Sequence, residues 1–358
     1  MENEENSFEI SRILCRWYEE NKRSLPWRQT RDPYRIWLSE VILQQTRIAQ
    51  GLPYYLDFLR TFPDVQALAA ADETSILRHW QGLGYYSRAR NLHQAARSIV
   101  SDYGGQFPRR YEDILRLKGI GRYTASAIAS FAFDEPCPVV DGNVYRVLAR
   151  LYDIDANILD TGSEKLFLEL ARQTMEADRA AMHNQAIMEF GALCCTPARP
   201  DCEHCPLAER CLALTAGTVD RRPVRLARVK KRTRFFHYLC LYDGQQVWMQ
   251  QRVNKDIWQH LWEFPLIEDP AGDWASLIAG HPQIAGWMGQ GAEVSQAGSY
   301  THQLTHQKIV ARFYFIRTGP GAQSPSQSAV GVPVHKIDDY PVCVLTERWL
   351  RRSSDLLC

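Results

Sequence analysis

Four cysteines near residue 200 constrain this chain more than any other feature. Their spacing is Cys195-x6-Cys202-x2-Cys205-x5-Cys211, so one loop and a short helical turn can place four thiolates around a single centre. The chain has ten cysteines, which in a long sequence without an export signal favours metal binding over a disulfide framework. Spacing alone leaves both a structural zinc ion and an iron-sulfur cluster open.

The length and composition predict an intracellular protein of two domains. A chain of 358 residues exceeds the usual size of one hydrophobic core. The first six residues are acidic and polar rather than a secretory signal, so we expect an intracellular location, cytoplasmic and nucleoid-associated in a bacterium. A net charge of +1 gives no global attraction to nucleic acid, so any DNA-binding surface must come from local clusters of basic side chains.

Two sequence patterns divide the chain. Residues 1–214 repeat apolar side chains at helical spacing, which predicts an all-α domain. The segment 215–232 is strongly basic and predicts a linker. Residues 233–358 contain aromatic and apolar runs around Asp243-Gly244, a strong hairpin signal, and predict an α+β domain.

Two carboxylic acids stand out in the first domain. The segment 36–50 predicts one continuous helix that is apolar on nearly every face, and Glu40 lies within it. A buried carboxyl group holds its proton more tightly, as a general acid at neutral pH must, although a glutamate satisfied by an arginine or tyrosine fits the same pattern. Asp141 precedes a helix predicted from about residue 143, where an N-cap is the ordinary use of aspartate.

A glycine-rich turn is predicted between two helices at residues 117–125, LKGIGRYTA. Gly119 and Gly121 let backbone amides approach a phosphate at a helix N-terminus, and Lys118 and Arg122 add positive charge. A plain helix-helix turn would explain the two glycines equally well.

Four segments carry a resemblance to the endonuclease III and MutY family of DNA glycosylases. They are the cysteine loop at 191–211, the turn at 117–125, LSEVILQQT at 38–46 and VDGNVYRV at 140–147. The resemblance extends from about residue 17 to 317. It implies a helix-hairpin-helix domain whose four cysteines hold one 4Fe-4S cluster. It also implies that Glu40 protonates the N7 atom of adenine and that Asp141 stabilises the oxocarbenium-like sugar.

Tyr123 bears on whether the strand is also cut. Family members that cut the strand have a lysine at this position, which forms a Schiff base with the sugar. Tyrosine cannot do so, and the resemblance implies that Tyr123 contacts the reacting centre. We therefore expect a monofunctional glycosylase, with weak lyase activity from Lys118 conceivable.

The resemblance implies further contacts. An adenine pocket would be lined by Arg23, Trp27, Arg28 and Glu189. Gln45 and Tyr85 would enter the DNA stack beside the flipped base. The alternatives are surface charges for the arginines, core packing for the two aromatic residues and a helix surface position for Gln45.

The C-terminal domain resembles Nudix hydrolases at residues 258–265, WQHLWEFP. Its acid-rich magnesium-binding box is absent, so we expect no pyrophosphatase activity. The loop HQLTH at 302–306 resembles the part of the family that probes 8-oxoguanine, through Leu304, Thr305 and His306. Leu304 replaces the usual aromatic residue, and His306 would also suit an ordinary surface position.

The leading hypothesis is a monomeric, monofunctional DNA glycosylase that removes adenine opposite 8-oxoguanine or guanine in double-stranded DNA. One alternative is a bifunctional endonuclease III-like enzyme. A second is a non-catalytic iron-sulfur sensor of DNA damage, which the presence of both Glu40 and Asp141 disfavours. A nucleotide hydrolase is a third, motivated only by the C-terminal domain.

Overall fold

Residues 2–226, 232–304 and 306–357 are described by the structure, a computed structural model of the chain. The chain divides into two compact units. The first contains the described residues up to 70 and from 91 to 226, and the second contains residues 71–90 and those from 232 onwards. Within the described ranges, no helix is long and apolar enough to cross a membrane.

The first unit is helical, which confirms the all-α prediction. Its helices are α1 (Glu2–Asn21), α2 (Pro33–Leu43), α3 (Ile48–Thr61), α4 (Val65–Ala70), α7 (Tyr111–Arg116), α8 (Arg122–Phe133), α9 (Gly142–Leu151), α10 (Thr161–Thr174), α11 (Ala180–Leu193) and α12 (Leu212–Thr215). Helix α5 (Glu73–His79) belongs to the second unit, and α6 (Ser87–Asp102) begins in the second unit and ends in the first.

One apolar core holds helices α1, α9, α10 and α11 together. Leu14, Leu148 and Phe167 are fully buried in it, and the Phe190 ring packs edge-on against Trp17 at 5.1 Å between centroids. Burying a side chain of this size contributes about 1.5–3 kcal/mol. The core therefore fixes the ends of α9 and α11, which carry Asp141 and Glu189.

The continuous helix predicted over residues 36–50 is wrong. Helix α2 ends at Leu43, and α3 begins at Ile48. The chain turns between them at Gln45, whose φ of +56° lies in the left-handed region. No glycine or proline marks this break in the sequence. The side-chain amide of Gln44 instead donates to the Thr124 hydroxyl on α8 at 3.2 Å, a tertiary contact that local propensity cannot reveal.

The second unit is built on a mixed sheet with helices beside it, which confirms the α+β prediction. The strands are β1 (Arg232–Tyr242), β2 (Gln246–Gln251), β3 (Trp262–Glu263), β4 (Leu266–Glu268), β5 (Glu293–Gln303), β6 (Gln307–Arg317) and β7 (Val330–Pro333). Among the described residues the order is β3-β2-β1-β6-β5, with β4 paired to β1 and β7 to β2. The helices are α13 (Trp274–Gly280), α14 (Gln283–Met288) and α15 (Val344–Arg352).

The centre of this sheet explains its sequence pattern. β1 pairs in parallel with β6 over its whole length, and residues Phe236 to Tyr242 of β1 are all buried. The predicted hairpin connects β1 to β2, which pair antiparallel. At its turn, Gly244 has a φ of +100° and the Asp243 carboxylate accepts from the amides of Gln245 and Gln246, both at 2.9 Å.

Residues 71–90 are part of the second unit, which local patterns did not suggest. The His260 ring lies 2.5 Å from the Glu73 carboxylate, and the Arg90 guanidinium donates to the Gln259 carbonyl at 2.7 Å. The boundary expected within 215–232 stays a prediction. Three of its basic residues, Arg228, Lys230 and Lys231, lie outside the described residues.

Candidate active site

A cavity of about 330 Å³ lies in the first unit, between helices α2, α8, α9 and α11. Ligand-binding clefts generally have volumes of roughly 300 to 1,000 Å³. The cavity brings together residues that are far apart in sequence and that the sequence singled out separately. These are Arg23, Trp27, Arg28, Glu40, Gln45, Tyr123, Asp141 and Glu189.

Glu40 has a carboxyl group whose pKa lies close to neutral pH. Its side chain is only partly accessible, and burial raises its pKa to about 7. The Tyr123 hydroxyl donates to the carboxyl group and works against that rise, whereas the nearby Asp141 adds to it. The pKa of Tyr123 is itself raised by burial and by these two acids, so it stays a neutral donor.

Asp141 is the N-cap of α9, as its position predicted. One carboxylate oxygen accepts from the backbone amides of Asn143 and Val144, both at 2.8 Å, and the other accepts from the Asn143 side chain at 2.7 Å. Burial raises the pKa of Asp141, and these three hydrogen bonds oppose the rise by favouring the charged form. The capping role and a position in the cavity therefore coexist.

Arg146 links this cap to the start of the cysteine loop, although no motif in the sequence had singled it out. Its guanidinium donates to the Asn143 side-chain oxygen at 2.9 Å, to the Gly191 carbonyl at 2.6 Å and to the Cys195 carbonyl at 2.7 Å. A buried guanidinium needs several acceptors, and here they come from α9, from α11 and from the loop that follows α11. The orientation of Asn143, and through it of Asp141, is fixed by these contacts.

Glu189 forms an ion cluster with Arg23 and Arg28 on another wall of the cavity. Arg28 binds both carboxylate oxygens at 2.7 Å, and the Arg23 side chain contacts the same two oxygens at 2.8 and 2.5 Å. Burial alone would raise the pKa of Glu189, but these hydrogen bonds outweigh it and lower the pKa to about 2. The arginines are therefore not solvated surface charges.

Trp27, which the sequence had singled out, faces the cavity and packs edge-on against Tyr55 at 5.1 Å. Other lining residues were missed at the sequence level. Gln185 lines the cavity from α11 and accepts from the Tyr18 hydroxyl at 2.7 Å. Its spacing of four residues from Glu189 on one helix face was the available signal. The remaining lining includes Ser39, Phe131 and Met188.

The glycine-rich turn joins α7 to α8 as expected. Gly119 has a φ of +76°, and a side chain there would collide with Asn91. Gly121 is the N-cap of α8, has open space around its Cα atom and provides no side-chain cap. Lys118 and Arg122 are exposed beside this turn. The first amides of α8 thus face outward without a capping side chain.

Gln45 and Tyr85 are both exposed and both adopt left-handed backbone, with φ values of +56° and +48°. Residues other than glycine, asparagine and aspartate rarely take this conformation, which costs roughly 1–3 kcal/mol. Such a conformation persists only where contacts with the surrounding structure stabilise it, so these contacts hold both side chains in exposed positions.

The second unit has a smaller cavity of about 220 Å³. Tyr85 and Arg90 line it together with Trp258, Leu304 and His306. Leu304 is partly buried and His306 is exposed. Thr305, the third residue expected in this loop, lies outside the described residues.

Cys195, Cys202, Cys205 and Cys211 surround one small cavity beside α9 and α12. The Arg150 guanidinium donates to the Cys195 sulfur at 3.3 Å and to the Thr196 carbonyl at 2.8 Å. Among the described residues, no three His, Cys, Asp or Glu side chains are arranged to hold a single metal ion. Four thiols around a shared space, with a cation beside one sulfur, could bind either one zinc ion or an iron-sulfur cluster.

Comparison with known proteins places both units in families. Residues 38–173 match the HhH-GPD superfamily of base excision DNA repair proteins, and residues 237–352 match the NUDIX domain. The adenine DNA glycosylase of Mus musculus is 45% identical over 371 residues, covering 88% of this chain and 71% of that protein. The one from Buchnera aphidicola subsp. Schizaphis graminum is 33% identical, covering 72% and 74%.

Solved structures resemble the helical unit. A thermostable thymine-DNA glycosylase has a TM-score of 0.55 and 28% identity, covering 59% of this chain and 98% of its own. A trapped endonuclease III-DNA covalent intermediate has a TM-score of 0.52 at 20% identity, which shows a shared fold.

The helical fold, the hairpin and the acid-lined cavity therefore define a DNA glycosylase of the helix-hairpin-helix base excision repair superfamily. Within that superfamily, the chain belongs to the adenine DNA glycosylase family, whose members match it across both units.

Proposed function

We propose that this enzyme hydrolyses the N-glycosidic bond of adenine mispaired with 8-oxoguanine or guanine in duplex DNA. The observation that carries the proposal is a single cavity holding two partly buried carboxyl groups, Glu40 and Asp141, of which Glu40 has a pKa of about 7. Pairs of acids in unequal surroundings are how glycosidic bonds are cleaved at neutral pH.

Glu40 and Asp141 have different roles in the reaction because their hydrogen bonds differ. Three N–H donors stabilise the anion of Asp141, so Glu40 is the acid that retains a proton. Glu40 protonates N7 of the flipped adenine, and the bond from the base to C1′ breaks with its electron pair moving to the base. Asp141 stabilises the positive sugar. The Glu40 carboxylate then accepts a proton from the water that adds to C1′.

The ion cluster gives the adenine pocket its shape. Glu189 is fully buried and stays ionised with a pKa of about 2, so Arg23 and Arg28 keep fixed positions. Trp27 supplies a flat apolar wall for a purine ring. A flipped base would therefore enter a rigid pocket, and a mispaired base is the easier one to flip.

DNA contacts follow from the exposed elements. The open N-terminus of α8, with Gly119, Gly121, Lys118 and Arg122, suits a backbone phosphate, which positions the duplex without reading sequence. Gln45 and Tyr85 would enter the base stack, since each is held outward in a strained conformation.

The second unit would read the base opposite adenine. Leu304 and His306 line a cavity with Tyr85 and Trp258 that offers apolar surface and hydrogen-bonding groups to an oxidised purine.

A 4Fe-4S cluster bound by Cys195, Cys202, Cys205 and Cys211 would hold the loop that follows α11. Cluster chemistry supplies no step of base removal, and its contribution is structural. Iron and sulfide content with a visible absorption band in anaerobically purified protein tests this assignment. A colourless protein containing stoichiometric zinc would contradict it.

Single-turnover excision on A:8-oxoguanine, A:G and A:C duplexes tests the activity. We expect release of adenine, fastest opposite 8-oxoguanine, with an intact abasic strand as the other product. Borohydride should trap little covalent adduct, because Tyr123 offers no amine. Efficient trapping would instead support the bifunctional alternative, and no excision on any duplex would contradict the proposal.

A further inference from the structure

The loop that presents Tyr85 contains several left-handed residues. Gly82 and Gly84 have φ values of +97° and +73°, which glycine adopts without strain, but Tyr85 follows at +48°. The Tyr85 side chain is nevertheless 47% exposed, so burial of the ring does not account for the strained backbone. Another contact must hold it.

Arg88 provides that contact. It lies in the first turn of α6 and is almost fully buried. Its guanidinium carbon is 5.0 Å from the centre of the Trp80 ring and 5.8 Å from that of Tyr85. Both rings lie within the range of favourable cation–π interaction.

The same guanidinium also fixes the loop backbone. One terminal nitrogen of Arg88 donates to the Gly84 carbonyl at 3.2 Å and to the Leu83 carbonyl at 3.4 Å. The Trp80 indole donates to the same Gly84 carbonyl at 3.0 Å. The two peptide carbonyls immediately before Tyr85 are thus anchored by one planar cation.

Burying this cation is unfavourable unless it gains interactions in return. Burial lowers the pKa of Arg88 to about 10, and the Tyr85 interaction opposes that fall. Ring faces and carbonyl oxygens offset the lost hydration. Lysine could not replace these contacts, because only a planar guanidinium can stack on rings while donating in its own plane.

We propose that Arg88 is a positioning residue that holds Tyr85 in the conformation in which it enters the DNA stack. The inference rests on the proposed role of Tyr85. A side chain fixed before binding loses less conformational freedom when DNA arrives, so the benefit appears in recognition of the mispair.

A double-mutant cycle in the full-length protein tests this coupling. The variants are Arg88→Met, Tyr85→Ala and the two combined, each carrying Glu40→Gln to prevent turnover. The measurement is the Kd for an A:8-oxoguanine duplex and for a fully matched duplex at fixed salt. Arg97→Met is the matched control, since Arg97 is an exposed arginine on the same helix.

We expect Tyr85→Ala and Arg88→Met each to weaken binding of the mispaired duplex about tenfold. The double variant should bind no more weakly than Tyr85→Ala alone, because Arg88 acts through Tyr85. Affinity for the matched duplex should change no more than in Arg97→Met. Fluorescence of a 2-aminopurine placed beside the mispair should show less unstacking in both single variants.

The outcomes separate the two ideas. A Tyr85→Ala variant that binds like the parent would refute the role of Tyr85 itself. Losses that multiply in the double variant, or an unaffected Arg88→Met, would refute the role of Arg88 while leaving Tyr85 intact. If Arg88→Met does not fold, Arg88→Lys keeps the charge and should still lose mispair binding, but only when Tyr85 is present.

Discussion

Two walls of one cavity each carry a glutamate, and the two carboxyl groups differ widely in proton affinity. Glu40 on α2 has a pKa of about 7, and Glu189 on α11 has a pKa of about 2. Burial raises the pKa of both acids, so desolvation does not explain the difference. The partners do, because Glu40 faces a tyrosine and a second acid, whereas Glu189 faces two arginines.

The difference in pKa suits the two glutamates to different roles. A proton held near neutral pH is available for transfer, which suits Glu40 to acid catalysis. A permanently charged Glu189 cannot exchange protons usefully, but it fixes two arginines on the pocket wall. Under the proposed mechanism the wall with Glu40 performs the chemistry and the wall with Glu189 fixes the pocket geometry, so mutations on the two walls should separate activity from stability.

The largest expected effect is on excision. Glu40→Gln removes the transferable proton with little change in shape, so single-turnover excision should fall by about 10³-fold. Glu169→Gln is the control, because Glu169 is an exposed glutamate on α10. If Glu40→Gln and the parent excise adenine at the same rate, Glu40 is not the general acid.

Removing the charge of Glu189 should lower the free energy of unfolding. Glu189→Gln leaves Arg23 and Arg28 without their anion, and Arg23 is partly solvated, so we expect a loss of about 2–3 kcal/mol in urea unfolding. Glu176→Gln is the control, since its partner Arg12 is exposed and less than about 1 kcal/mol should be lost. Equal losses of stability in the two variants would show that the buried Glu189 cluster stabilises the fold no more than the exposed pair of Glu176 and Arg12 does.

Glu40→Gln should have the opposite effect on stability, and only at higher pH. The pKa of Glu40 is raised in the folded state, so the parent loses stability as pH rises from about 4.5 through 7. The variant avoids this loss and should gain about 3 kcal/mol over the parent at pH 8 but less than about 1 kcal/mol at pH 5. Unfolding curves at both pH values measure the difference, and a gain that does not depend on pH would show that Glu40 does not titrate in this range.

Much of the cavity wall that carries Glu40 and Asp141 could be predicted from the sequence. Glu40 is one acid in an apolar helix, and Asp141 stands where a helix begins, so each is visible as a local anomaly. Periodicity predicted only that the domain is helical, and the resemblance to a known family implied that the two acids act together. The hairpin at Asp243-Gly244 was equally local and formed as expected.

The wall formed by Glu189 and its two arginines could not be predicted from local sequence patterns. Glu189 lies more than 160 positions from its arginines, and no spacing rule links them. The break at Gln45 replaced a continuous helix because a contact to Thr124, remote in sequence, competes with helical propensity. The membership of residues 71–90 in the second unit likewise depends on distant contacts such as Glu73 to His260.

Tyr123→Phe should produce the smallest and most diagnostic change. The Tyr123 hydroxyl donates to Glu40 and stabilises its charged form, so removing it should raise the pKa of Glu40 further. The alkaline limb of the pH–rate profile for excision should then shift upward by about half a pH unit to one unit. An upward shift of the limb identifies the hydrogen bond as the cause even if the maximal rate also changes. A limb that stays in place or moves to lower pH would show that this hydrogen bond does not lower the proton affinity of Glu40, and the contrast with Glu189 would then rest on Asp141 and the arginines.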